Sequence, residues 1–133
     1  MILLDTHVLV WADRDDRKLG RKARALIDKL WPVAKVAVPA IAFWEIGILH
    51  SRRRLTLPMA LGEWRNAILD AGAIELPLDG LVAVRALELG GLHEDPADRF
   101  IVATALVHNA TLLTADERLL TWKHALERID ASK

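Results

Sequence analysis

Four short apolar runs recur along the chain, with helical patterns between them: Ile2–Leu4, Val36–Val38, Ala73–Leu78 and Ala110–Thr114. Together they are too apolar to face water on either side, and strands of that kind belong in a parallel sheet covered by helices above and below. The intervening segments fit such covers. Arg21–Trp31 places Ala25, Leu26 and Leu30 at helical spacing and stops at Pro32, and Ala40–Ser51 is almost continuously apolar and reads as a buried helix. Pro58 is expected to open a helix that runs to about Asp70, and Leu81–Leu89 a helix that ends at Gly90-Gly91. Asp95-Pro96 opens another, which runs to about His108 with Asn109 as its stop. Glu117–Trp122 reads as a short helix and Leu126–Ile129 as a last edge strand.

The expectation is a three-layer α/β/α fold with a central parallel sheet of four to five strands, formed as a single domain over residues 1–133. Neither a repeat nor a linker interrupts the pattern. With 53% hydrophobic residues the chain can build a core of its own. It has no cysteine, so any metal must be held by oxygen or imidazole. A basic leader and an apolar run of about 20 residues are both missing, which points to a cytoplasmic protein without a membrane span.

Lys plus Arg and Asp plus Glu are equal at 18 each, so the chain lacks the overall positive field of many nucleic-acid binders. Basic residues gather locally instead, between Arg14 and Arg24 and at Arg52, Arg53 and Arg54. The arginines at 52 to 54 could meet RNA phosphates; a helix C-terminus or a solvated face explains them equally well.

The acidic residues carry more information. In an open parallel sheet, ligands bind where the carboxyl ends of the strands release the chain into helices. Asp5 directly follows the first strand, Asp116 follows the fourth by two residues, and Glu45 lies in the second turn of the helix that leaves the second strand. Glu45 stands among Ile41, Ala42, Phe43, Trp44, Ile46 and Ile48, with no polar face to turn to. A carboxylate buried there needs a compensating partner, either an internal Arg or Lys or a metal. Asp5 and Asp116 could each cap a helix, as could Asp95 before Pro96, with Asp98 then at the third helical position where the helix dipole favours negative charge.

As a set, these carboxylates would repel one another unless a cation lay between them, and hard oxygen ligands select Mg²⁺ or Mn²⁺. Such an ion completes its shell with phosphate oxygens, which makes phosphodiester hydrolysis by a metal-activated water the natural chemistry. A phosphate-binding Gly-rich loop, a nucleophile elbow and a zinc-binding His-Glu-x-x-His helix are all missing. The five histidines show no ligand spacing and read as surface or helix-end residues, with His7 kept as a possible accessory because it stands two residues from Asp5. Thr6 and Thr114 are candidates to orient the carboxylates through hydrogen bonds. Trp11 and Trp44 read as core or interface residues.

The segments Leu3-Leu4-Asp5-Thr6-His7, Pro39-Ala40-Ile41-Ala42-Phe43-Trp44-Glu45-Ile46, Asp95-Pro96-Ala97-Asp98-Arg99-Phe100-Ile101 and Leu113-Thr114-Ala115-Asp116 resemble the PIN-domain family in order and spacing. More narrowly they resemble its VapC-type toxins. The resemblance implies Mg²⁺- or Mn²⁺-dependent endonucleolytic cleavage of RNA at a site made from Asp5, Glu45, Asp98 and Asp116, with Asp95 an accessory or a cap. It also implies a homodimer and a small cognate antitoxin. Position 7 is His where the family often has Asn. Two other classes stay open: a non-catalytic α/β scaffold in which Glu45 is paired internally, and an aspartate-nucleophile phosphatase, for which a second aspartate two residues after Asp5 is missing.

Overall fold

The computed structural model describes residues 1–133. Five strands, β1 (Ile2–Leu4), β2 (Val36–Pro39), β3 (Ile74–Leu76), β4 (Thr111–Thr114) and β5 (Arg128–Asp130), form one sheet in the order β3-β2-β1-β4-β5. Every pairing is parallel. Seven helices accompany them: α1 (Thr6–Arg14), α2 (Arg21–Leu30), α3 (Ala40–Ser51), α4 (Leu61–Asp70), α5 (Gly80–Leu87), α6 (Pro96–Val107) and α7 (Glu117–Leu120). A 3-10 turn, Trp31–Val33, joins α2 to the loop before β2.

Alternation along the strands divides the core in two. Ile2 and Leu4 of β1, Val36 and Val38 of β2 and Leu113 of β4 pack with α1, α2, α3 and α4. Leu3, Ala37 and Leu112 point the opposite way and pack with α5, α6 and α7. Each central strand therefore buries both faces, as a parallel sheet between helix layers requires. β3 departs from this: it is an edge strand, and its Glu75 is part-exposed and takes a two-pronged ion pair from Arg65 at 2.7 and 2.9 Å.

Several expected boundaries shift: β3 shortens to Ile74–Leu76, α5 runs Gly80–Leu87 and α7 ends at Leu120. Pro58 does not open α4; residues 58 and 59 bend, Ala60 is the cap with φ −58° and ψ 148°, and the helix begins at Leu61. Proline fixes φ near the helical value but is equally at home in a turn, so its position alone does not choose. The last strand starts two residues later and ends one later than expected, at Arg128–Asp130, where it pairs with β4.

The strand order also locates a crevice. From β1 the chain moves to β2 and β3 on one side, then crosses to β4 and β5 on the other. The reversal falls between β1 and β4, and the turns leaving these two strands diverge there, opening a cleft at their carboxyl ends. Asp5 and Asp116 leave the sheet at that point. No helix is long and apolar enough to cross a membrane.

Candidate active site

Asp5, Glu45, Asp98 and Asp116 line one cavity of about 300 Å³, together with His7, Trp11, Asp95 and Arg118. Each carboxylate is positioned by the local rules that shape its helix. Asp5, Asp95 and Asp116 are the N-caps of α1, α6 and α7, accepting the backbone N–H of Thr6, Ala97 and Arg118 respectively. Pro96 opens α6, which puts Asp98 in its first turn. Capping and convergence are thus compatible readings of the same residues: the caps hold the strand-to-helix turns that bring the acids together.

Thr6 and Thr114 orient two of the carboxylates. The Thr114 hydroxyl donates to Asp5 Oδ2 at 2.6 Å and accepts the Asp116 N–H at 3.1 Å, while the Thr6 hydroxyl donates to Glu45 Oε1 at 2.5 Å. Glu45 therefore has a neutral hydroxyl as its partner, and no arginine or lysine. His7 is exposed, stands 6.3 Å from Trp11 ring to ring and makes no hydrogen bond to Asp5. The expectation that Glu45 has no solvated side needs correction, since Glu45 is half-buried and opens onto the cavity; neighbouring Trp44, 61% exposed, belongs to the surface and not to the core. Trp11 is half-buried at the cavity wall.

Arg52, Arg53 and Arg54 are exposed, follow the end of α3 and do not line the acidic cavity. Arg53 has φ of 57°, the left-handed turn that ends a helix, which favours the helix-terminus explanation of this cluster.

Crowding of like charge shows in the protonation of the site. Burial raises Asp5 against the opposing hydrogen bond from Thr114. Burial also raises Glu45, to about 7, with Asp5 and Asp98 adding repulsion that the Thr6 hydrogen bond does not cancel. Asp98 is raised by burial despite its hydrogen bond from His93. Asp116 differs: burial pushes it up, but hydrogen bonds from Arg118 bring it below the usual carboxylate range.

Two residues that the sequence did not single out complete the arrangement. His93 Nε2 lies 2.7 Å from Asp98 Oδ2, and donor atoms of His93, Asp98 and Asp116 all fall within 4.8 Å of one another. The Arg118 guanidinium reaches Asp116 Oδ2 at 3.1 Å and Asp98 Oδ2 at 3.5 Å. It sits where a cation is wanted. The donor set suits a hard divalent ion, with four carboxylates, three of them driven toward protonation, and a guanidinium standing in across two of them.

Arg99 carries the neighbouring loop. Its guanidinium donates to four backbone carbonyls, those of Ala86, Leu89, Leu92 and His93, at 2.9 to 3.3 Å. It thereby ties the segment between α5 and α6, with His93 in it, onto the helix that bears Asp98. A signal for Arg118 was present in the spacing Asp116-x-Arg118, because a cap that accepts the N–H two residues on brings that residue's side chain beside it. His93 lies five residues before Asp98 across a loop, a spacing with no periodic signature.

A family model described as the PIN domain matches residues 2–123. The chain is 31% identical over 124 residues to Ribonuclease VapC22 of Mycobacterium tuberculosis (strain ATCC 25618 / H37Rv), covering 92% of each chain. Among solved structures it is similar to DNA-bound VapBC from Salmonella typhimurium, with TM-score 0.72 at 13% identity over 98% of each chain. It is also similar to a toxin-antitoxin complex from Klebsiella pneumoniae, with TM-score 0.66 at 18% identity over 98% of each chain. A third likeness is to FitAcB from Neisseria gonorrhoeae, with TM-score 0.64 at 25% identity over 98% of each chain.

Proposed function

The chain belongs to the PIN-domain family, and on that premise we propose that it is a metal-dependent endoribonuclease and the toxin of a toxin-antitoxin pair. The observation that carries this reading is the convergence of Asp5, Glu45, Asp98 and Asp116 on one cavity at the switch point of the sheet. These four residues would hold Mg²⁺ or Mn²⁺, which would supply an activated water and neutralise charge developing on the phosphate. What the protein contributes is preorganisation. Asp5 is fixed by the Thr6 N–H and the Thr114 hydroxyl, Glu45 by the Thr6 hydroxyl and Asp98 by His93, so the carboxylates need little rearrangement.

Both alternatives lose ground. A scaffold would pair Glu45 with an internal cation, and its partner is Thr6. An aspartate-nucleophile phosphatase would need a second aspartate two residues after Asp5, and His7 stands there, exposed and without a hydrogen bond to Asp5. The antitoxin partner is supported by the solved toxin-antitoxin complexes that share the fold. The homodimer is supported by Leu81, Val84 and Leu87, spaced three apart on α5 and 65%, 60% and 84% exposed, a stripe that a second copy would cover.

The test is cleavage of a mixed RNA pool by the purified protein in Mg²⁺ or Mn²⁺, with EDTA and Asp5→Asn as controls. Cleavage that vanishes in both controls supports the reading. Absence of cleavage together with absence of metal binding by calorimetry returns the chain to the scaffold class.

A further inference from the structure

Beside the acidic cavity lies a second cleft of about 450 Å³, lined by His93, Arg118, Thr121, Lys123, His124 and Gly91 among others. The two cavities share Arg118 as a wall, and His93 faces the second while its Nε2 touches Asp98 of the first. No carboxylate lines the second cleft. In a chain with equal acidic and basic counts, a cationic hollow directly against an anionic one is a local separation of charge.

We propose that this cleft binds the nucleotide next to the bond that is cut, its phosphate against Arg118 and Lys123 and its base on His124. The inference rests on the ribonuclease reading and adds to it the path of the strand. Four crowded carboxylates repel every phosphate except one engaged through a cation, so a single strand needs an attractive field immediately alongside. Arg118 and Lys123 supply it, and both are exposed. The His124 ring packs on Trp122 with centroids 4.5 Å apart and planes 37° apart. Trp122 is 7% exposed and pinned by its Nε1–H to Gly90 O at 3.0 Å, so it supports His124 from beneath. The outward face of His124 remains available, and an aromatic face beside cationic groups is how single strands are held without dependence on sequence.

Arg118 links the two hollows. Its contacts at 3.1 and 3.5 Å to Asp116 and Asp98 are those of an exposed side chain, and a divalent ion on these carboxylates removes the reason for them. The guanidinium then has a phosphate within reach on its other side.

The experiment measures binding of a fluorescently labelled, single-stranded RNA oligonucleotide of mixed sequence by anisotropy across a salt series. An Asp5→Asn background keeps the RNA from being consumed. Lys123→Glu is expected to weaken binding by about fivefold or more and to make the log–log salt dependence shallower by about 0.7, the change for one lost single-strand phosphate contact. His124→Ala should weaken binding with an unchanged salt slope, and Lys123→Arg should restore the parental value. Mn²⁺ affinity by calorimetry, measured with Asp5 intact, should stay the same in all three. Unchanged RNA affinity and slope in Lys123→Glu would overturn the subsite while leaving the ribonuclease reading in place, as would a parallel loss of Mn²⁺ affinity, which would route the effect through the carboxylates. A parental chain that neither binds nor cuts RNA would remove the ribonuclease reading and the subsite with it.

Discussion

Thr114 donates its hydroxyl to Asp5 Oδ2 at 2.6 Å across the pairing of β4 with β1, and both residues are buried. The Thr114 hydroxyl oxygen in turn accepts the Asp116 N–H, so one side chain fixes the relation between two of the four carboxylates. Thr114→Val keeps the shape and removes the donor. It should destabilise the metal-free protein by about 1–3 kcal/mol, because a buried acceptor loses its partner, and it should weaken Mn²⁺ binding. Chemical denaturation and calorimetry read the two effects. Thr114→Ser should recover most of both, and a valine variant as stable as the parent would show that the hydrogen bond contributes nothing to the fold.

Glu45 sets a pH dependence. Its carboxyl titrates at about 7 in the folded chain and at 4.5 in its ordinary state, so between these values the folded protein binds more protons than the unfolded one. Stability of the metal-free protein should therefore rise as pH falls from 7 toward 4.5, which thermal melting in EDTA would record. Asp5 and Asp98, also raised, act in the same sense; Asp116, Glu75 and Asp130, which are lowered, withdraw stability once pH drops below the ordinary carboxylate range. Saturating Mg²⁺ should flatten or invert the trend, since the ion binds the ionised form. Glu45→Gln should reduce it and leave the part that Asp5 and Asp98 contribute.

On the proposed reading, Arg118 competes with metal for Asp98 and Asp116. Arg118→Ala should raise Mn²⁺ affinity by roughly two- to fivefold, the scale expected when an exposed ion pair no longer has to be broken. Calorimetry at constant ionic strength is the check. An affinity that falls would mean that the guanidinium supports the ion instead of excluding it.

Arg99 is needed for its shape. Four carbonyl acceptors are met by the fork of a guanidinium, and a lysine ammonium cannot reach them together. Arg99→Lys should cost about 1.5–3 kcal/mol and increase hydrogen exchange in the segment 88–95, because carbonyls lose charged donors and the loop loses its anchor. Retained exchange protection in that segment would refute the anchoring role.

The layers of the fold were legible because apolar runs and helical spacing report burial directly: β1, β2 and β4 fall where their sequences place them, and α3 keeps the expected range Ala40–Ser51. That the four acids meet at one cavity was legible because Asp5, Asp98 and Asp116 stand at strand ends or helix starts and Glu45 lies one turn into α3, where topology decides their neighbourhood. What stayed hidden depends on loops. Whether Pro58 begins a helix is settled by the bend at 58 and 59 and not by proline itself. His93 reaches Asp98 only because Arg99 folds the loop back, a contact among residues with no period between them. The exposure of Trp44 escaped because apolar neighbours in sequence say that a helix is buried without saying how completely.

The central place of β1 has a consequence for synthesis. Asp5 and Thr114 are 109 residues apart, and β1 can take its second neighbour only when β4 has been made. Until then one edge of β1 is open, and neither Asp98 nor Asp116 can stand beside Asp5. A chain still being translated therefore cannot hold the four carboxylates together before β4 has paired with β1 and α7 has formed after it.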